Sequence, residues 1–174
     1  MSIERIDWRT LCLRDALDLG ILIEDEAKDR YEELASQMEL HHTSEAAAFF
    51  RVMVSNEAKH GEQLAMRRAA LFADEPSTVS RAMLWDVEAP DYDEVRAFMT
   101  RRQALEVALR AEEKAHAFFV AVLPNVQDPE AKALFEELRD EEVEHQRLVQ
   151  AQLAQLPPDR PADLDDVEDE PVAQ

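Results

Sequence analysis

Phe50-Arg51-Val52-Met53-Val54-Ser55-Asn56-Glu57-Ala58-Lys59-His60-Gly61-Glu62-Gln63-Leu64 and Phe135-Glu136-Glu137-Leu138-Arg139-Asp140-Glu141-Glu142-Val143-Glu144-His145-Gln146-Arg147-Leu148-Val149 lie 85 residues apart and share one pattern. Phe50, Met53, Glu57, His60 and Leu64 recur at steps of three and four, as do Phe135, Leu138, Glu142, His145 and Val149. Such steps put each set on one face of an α-helix. Both faces are apolar at their ends and carry Glu-x-x-His between. Working outward, two further stripes have the same character. One reads Leu13, Leu17, Gly20, Glu24, Ala27, Tyr31, Leu34, Met38; the other reads Leu105, Ala108, Glu112, Ala115, Phe119, Val122. Each helix face therefore places one carboxylate among apolar residues near its middle.

The two halves of the chain are related. An offset of 88 sets Arg14-Asp15-Ala16-Leu17-Asp18 on Arg102-Gln103-Ala104-Leu105-Glu106, Glu24 on Glu112, Ala27 on Ala115 and Tyr31 on Phe119. An offset of 85 sets Phe50, Glu57 and His60 on Phe135, Glu142 and His145. Unrelated helices share apolar positions, but they do not share core charges, so the pattern reads as a duplicated helical hairpin.

Helical periodicity covers about Trp8–Leu40, Ser44–Phe72, Asp91–Leu123 and Pro129–Leu156. Thr43 or Ser44 can cap the second helix, and Asp128-Pro129 is a start signal for the fourth. Asp93 and Glu94 suit the first turn of the third. A connection from Ala73 to Pro90, with a short helix at Thr78–Trp85, joins the hairpins. One long crossover between two short-looped pairs is a four-helix-bundle arrangement. The bundle is expected to span residues 1–156. Residues 157–174 hold half of the 8 prolines and a run of acidic residues, and read as a disordered tail.

Composition excludes much else. The 174 residues include only 2 glycines, where average usage supplies roughly 12, so an all-β fold is ruled out. The 1 cysteine, Cys12, permits no disulfide framework or four-cysteine iron site within the chain, and reads as a small core residue. A formal charge of −20 disfavours nucleic acid and anionic membrane as partners. No apolar run reaches the roughly 18 residues of a membrane span, and the N-terminus shows no signal-peptide pattern, so a cytoplasmic location is expected. Trp8 and Trp85 read as packing anchors, and His41 and His42 as exposed loop residues. Gly20 and Gly61 suggest close helix approach.

An unpaired buried carboxylate costs several kcal/mol, and four at one level also repel one another. No Lys or Arg lies on these stripes near the glutamates. Two divalent cations would neutralise them, and oxygen-rich sites with one nitrogen per ion suit iron or manganese. Two Glu-x-x-His pairs, each with a core Glu 33 or 30 residues upstream, make up this pattern; it is the general constellation of ferritin-like di-iron bundles.

The residues Glu24-Asp25-Glu26-Ala27-Lys28-Asp29-Arg30-Tyr31 with Glu57-x-x-His60, and Ala104-Leu105-Glu106 leading to Ala111-Glu112-Glu113-Lys114-Ala115 with Glu142-x-x-His145, resemble the rubrerythrin branch of the ferritin-like superfamily. The resemblance runs from about Leu11 to Gln150. It implies that Glu24 and His60 bind one iron and Glu112 and His145 the other, with Glu57 and Glu142 bridging. It implies that Tyr31 hydrogen-bonds a ligand carboxylate from the facing helix. Rubrerythrins proper add a rubredoxin module with four cysteines, absent here, so electrons must come from an external donor protein. They also place a seventh ligand, a Glu, one turn past the third-helix ligand; here Ala115 and His116 occupy that region, and His116 is the candidate substitute. Phe119 stands where the repeat would put a second Tyr. The implied activity is two-electron reduction of hydrogen peroxide, or less readily dioxygen, in a homodimer. Alternatives are a ferroxidase feeding iron storage and a metal-free helical interaction module.

Overall fold

The computed structural model describes residues 6–83, 87, 90 and 99–157. Among these are four α-helices and no strand: α1 (Leu13–Leu40), α2 (Ser44–Phe72), α3 (Arg101–Val122) and α4 (Pro129–Leu153). α1 packs along α2 and α3 along α4; α1 also meets α4, and α2 meets α3. Cross-links fix the antiparallel sense. Asp18 pairs with Arg68 and Glu39 with Arg51 across the first hairpin. Glu112 meets His145, and Arg102 meets the Leu153 carbonyl, across the second.

Several helix ends follow the sequence signals, and others differ. Asp128 Oδ1 accepts from the backbone N–H groups of Glu130 and Ala131, with Pro129 opening the first turn. Thr43 sits at the matching position before α2, but its hydroxyl donates to the Met38 carbonyl and makes no cap. α1 starts five residues later than Trp8. Asp15 accepts from the Cys12 N–H and Sγ, so Cys12 is a half-buried helix cap rather than a core residue. Trp8 instead lays its ring edge-on against Phe118 and Phe135. α3 starts at Arg101, not Asp91. Thr100 is extended and forms a reciprocal capping box with Gln103, which fixes the start there. The expected first turn at Asp93 and Glu94, the anchor Trp85 and the tail beyond Pro157 lie outside the described residues.

The crossover runs back along α1. Arg14 bonds Glu75, Asp15 bonds Thr78, Asp29 bonds Arg81, and Arg30 donates to the Pro90 carbonyl. The expected short helix is a single 3-10 turn, Arg81–Met83, within the described residues. Arg68 anchors the start of this run. It pairs with buried Asp18 and donates to the carbonyls of Ala73 and Glu75. That grip holds Ala73 at φ 47, a left-handed conformation unfavourable to a residue with a Cβ. His41 and His42 are exposed, as expected.

The core is divided. Leu17, Leu19, Ile23, Leu64, Phe119, Leu134, Phe135 and Leu138 belong to one apolar cluster. Tyr31, Leu34, Met38, Phe50, Met53, Leu105, Ala108 and Val149 belong to another. On every helix the boundary between the two falls at the stripe glutamate: Ile23 and Ala27 flank Glu24, Met53 and Leu64 flank Glu57, Ala108 and Phe119 flank Glu112, and Leu138 and Val149 flank Glu142. Gly20 permits close approach beneath this level, since a Cβ there would lie 3.1 Å from Leu64 Cδ1. At Gly61 a Cβ would make an ordinary 3.5 Å contact with Glu24 Cβ.

Candidate metal centre

The polar layer between the clusters is built by the periodicity that buries the stripes. Once the apolar residues on either side are inside, each mid-stripe glutamate has no route to water. Glu24 is 5 % exposed, Glu57 1 %, Glu112 0 % and Glu142 3 %. The i, i+3 spacing brings each α2 and α4 histidine beside its glutamate. Donor atoms of Glu24, Glu57 and His60 lie within 4.8 Å of one another, and so do those of Glu112, Glu142 and His145. The His60 and His145 rings stack across α2 and α4, with centroids 4.9 Å apart and planes at 5°. The two clusters therefore adjoin.

The groups satisfy one another poorly. His60 Nδ1 is 3.9 Å from both Glu24 Oε2 and Glu57 Oε2, too far for hydrogen bonds. His145 Nδ1 is 3.1 Å from Glu112 Oε2 and 3.6 Å from Glu142 Oε2. Among the described residues no hydrogen bond reaches Glu24 Oε2, His60 Nδ1, Glu112 Oε1 or Glu142 Oε2, all of them buried. Burial, then the charges of Glu57 and Glu142, hold the Glu24 carboxyl well above its ordinary range. Burial pushes Glu142 up to about 8; the nearby His145 imidazole opposes this and the Glu112 charge adds to it. Burial disfavours a charged His145, but its bond to Glu112 and the proximity of Glu142 prevail and raise it to about 11. His60 is lowered, by burial and by its neighbour His145. In the metal-free site these shifts favour the protonated forms of Glu24, Glu142 and His145.

Orphaned buried oxygens beside imidazole nitrogens are what a divalent cation would satisfy. Each cluster offers two carboxylates and one imidazole, a donor set suited to iron or manganese. The residues present fit such ions.

The sequence model of the Rubrerythrin family matches residues 15–154. The chain belongs to the rubrerythrin family. A crystal structure of an uncharacterized conserved protein from Magnetospirillum magnetotacticum MS-1 is similar to this rubrerythrin-family chain at 30% identity. It covers 87% of this chain and 99% of that one, with a TM-score of 0.64. No curated protein matches. The family, the ferritin-like bundle and two Glu/His clusters able to hold a pair of metal ions agree with the sequence reading. Among the described residues no helix is long and apolar enough to cross a membrane.

Tyr31 is fully buried two turns beyond Glu24, its ring stacked on Phe50 at 6.0 Å. His116 is half-buried one turn past Glu112 and joins neither cluster. The alternative Glu113 is exposed, whereas Glu112 is fully buried. Sequence reasoning missed the Asp18–Arg68 pair as a fixed element. The available signal was an acidic residue next to the α1 stripe and an arginine near the end of α2, at matching heights in an antiparallel hairpin.

Proposed function

We propose that this chain is a di-iron redox protein of rubrerythrin type that reduces hydrogen peroxide with electrons from an external donor. The observation that carries this reading is the split core: four buried carboxylates and two imidazoles converge on one level, and Glu24, His60, Glu112 and Glu142 each keep a buried donor atom that no hydrogen bond reaches among the described residues. In this reading Glu24 and His60 would hold one iron and Glu112 and His145 the other, with Glu57 and Glu142 available to both. Ferrous iron bound there would supply the two electrons that peroxide reduction needs.

The chain's own groups have defined tasks. The apolar clusters above and below exclude water from the layer and strengthen every electrostatic interaction within it. His145, protonated in the metal-free protein, donates its Nδ1–H to Glu112 Oε2. That proton must leave before a cation can take the nitrogen, so loading releases protons. Glu24 and Glu142 likewise give up protons on loading. Tyr31 sets the packing of the α1 face toward α2 through its ring contact with Phe50. Cys12 is the sequence's one cysteine and cannot by itself hold a rubredoxin-type iron, so in this reading the electrons arrive from outside the bundle.

The test is anaerobic stopped-flow addition of hydrogen peroxide to the ferrous-loaded protein. Oxidation of both irons within seconds is expected, with the metal retained. Turnover well beyond two irons per chain would instead identify a ferroxidase that releases its product, and slow or absent oxidation would remove the peroxide reading.

A further inference from the structure

A pocket of about 70 Å³ opens between α2 and α4 at the level of the histidines. His60 lines it, and is the one member of either cluster that does. Leu64 and Leu138, both nearly buried, form its apolar floor. That floor is low because Gly20 lies beneath: a Cβ there would press within 3.1 Å of Leu64 Cδ1 and 3.4 Å of Leu138 Cδ1. At the exposed rim Arg67 Nη1 bonds Glu137 Oε2 at 2.9 Å, tying the two helices across the opening. Larger clefts of about 300 Å³ beside Phe49 and Arg101, and about 510 Å³ beside Asp29 and Gln37, include none of the six candidate ligands.

We propose that this groove is the port by which the oxidant reaches the dinuclear site, and that its volume limits the oxidant to a molecule of about two heavy atoms. A water occupies about 30 Å³ in the liquid, so the pocket accommodates roughly two waters or one hydrogen peroxide. An alkyl hydroperoxide exceeds that volume. So does a cation with six waters, at about 180 Å³ on the same scale, so metal loading uses another route or sheds its water first. The rim pair is exposed, and such pairs add little stability. Its role in the proposal is to narrow the mouth. The proposal rests on the metal-centre reading for what lies at the inner end, but the port itself exists without metal.

Two measurements separate the claims. In the metal-free full chain, dissolved dioxygen serves as a paramagnetic probe in methyl NMR. Leu64 and Leu138 methyls are expected to relax faster than those of Leu17 and Leu105, which lie away from the pocket, and Gln63→Phe at the exposed mouth should abolish the difference. Equal relaxation of the four leucines would overturn the port. In the ferrous-loaded chain, hydrogen peroxide is expected to react at least about tenfold faster than tert-butyl hydroperoxide, with Arg67→Ala narrowing the gap several-fold. An unchanged ratio in Arg67→Ala would overturn the selection by size. Inertness toward both peroxides, with the dioxygen effect intact, would uphold the port and remove the peroxide reading instead.

Discussion

In the first hairpin His60 Nδ1 stands 3.9 Å from both of its carboxylates; in the second, His145 Nδ1 is 3.1 Å from Glu112 and 3.6 Å from Glu142. The donors are the same and their positions are related by the repeat, yet one cluster is open and in the other the histidine has closed to hydrogen-bond distance of a carboxylate. The caps differ in parallel. Thr43 and Asp128 are equivalent by the 85-residue offset, and only Asp128 caps its helix. Arg14 and Arg102 are equivalent by the 88-residue offset. Arg14 binds the Glu75 side chain, whereas Arg102 binds the carbonyls of Leu153, Leu156 and Pro157. In the first hairpin the carbonyl-holding role has passed to Arg68. Duplication preserved what the centre needs, a carboxylate per helix and a histidine per hairpin, while the ends of the helices diverged.

The sharpest way to break this comparison is to remove one bridging candidate from each half. Glu57→Ala and Glu142→Ala should each abolish most of the thermal stabilisation that ferrous or manganous ion gives the parent. At a thousandfold excess over Kd that stabilisation is about 4 kcal/mol per site. Calorimetric melts with and without metal check this. If only one substitution mattered, the two halves would not share a centre.

Next in size is the arginine contrast. Arg68→Ala strands buried Asp18 and two carbonyls, and should lower Tm by roughly 5–10 °C. Arg102→Ala loses bonds to carbonyls at the half-buried end of α4 and strands no buried charge, and should cost about 3–5 °C. Equal losses would mean that the buried pair is not what fixes the first hairpin.

The pH response follows from the raised groups. Glu24, Glu142 and His145 hold protons in the folded metal-free chain that the unfolded chain has already released. Their contribution to stability is therefore present at low pH and lost as pH rises through the folded values. Between pH 6.5 and 8 the metal-free protein should lose Tm, by about 2–4 °C for each kcal/mol. The lowered His60 acts in the opposite sense, but below pH 6.5. In the loaded protein protons compete with metal, so metal-induced stabilisation should grow over the same interval. A metal-free melt that rises with pH would contradict the buried acid layer. Smallest is the cap contrast: Asp128→Ala should cost about 1 kcal/mol and Thr43→Ala only a few tenths, by denaturant titration.

Much of this was legible in the sequence because helical periodicity reports burial directly. Glu24, Glu57, Glu112 and Glu142 stand where apolar residues belong, and the core divides at those positions. The histidines follow from i, i+3 spacing alone. What periodicity does not report is hydrogen bonding outside the stripe. Thr43 has the residue type of a cap, but its hydroxyl turns back to Met38. Asp91–Thr100 keeps enough helical pattern to extend α3 on paper, while the Thr100–Gln103 box stops it. Arg68 and the α2–α4 pocket depend on the heights at which two distant segments meet, and no local window contains that information.

The central claim is most directly tested by the metal content of the full chain after anaerobic loading with ferrous iron and desalting, read by elemental analysis. Two ions per chain are predicted, falling in both Glu57→Ala and Glu142→Ala. A parent protein that emerges free of transition metal, with its fold intact, would contradict the account.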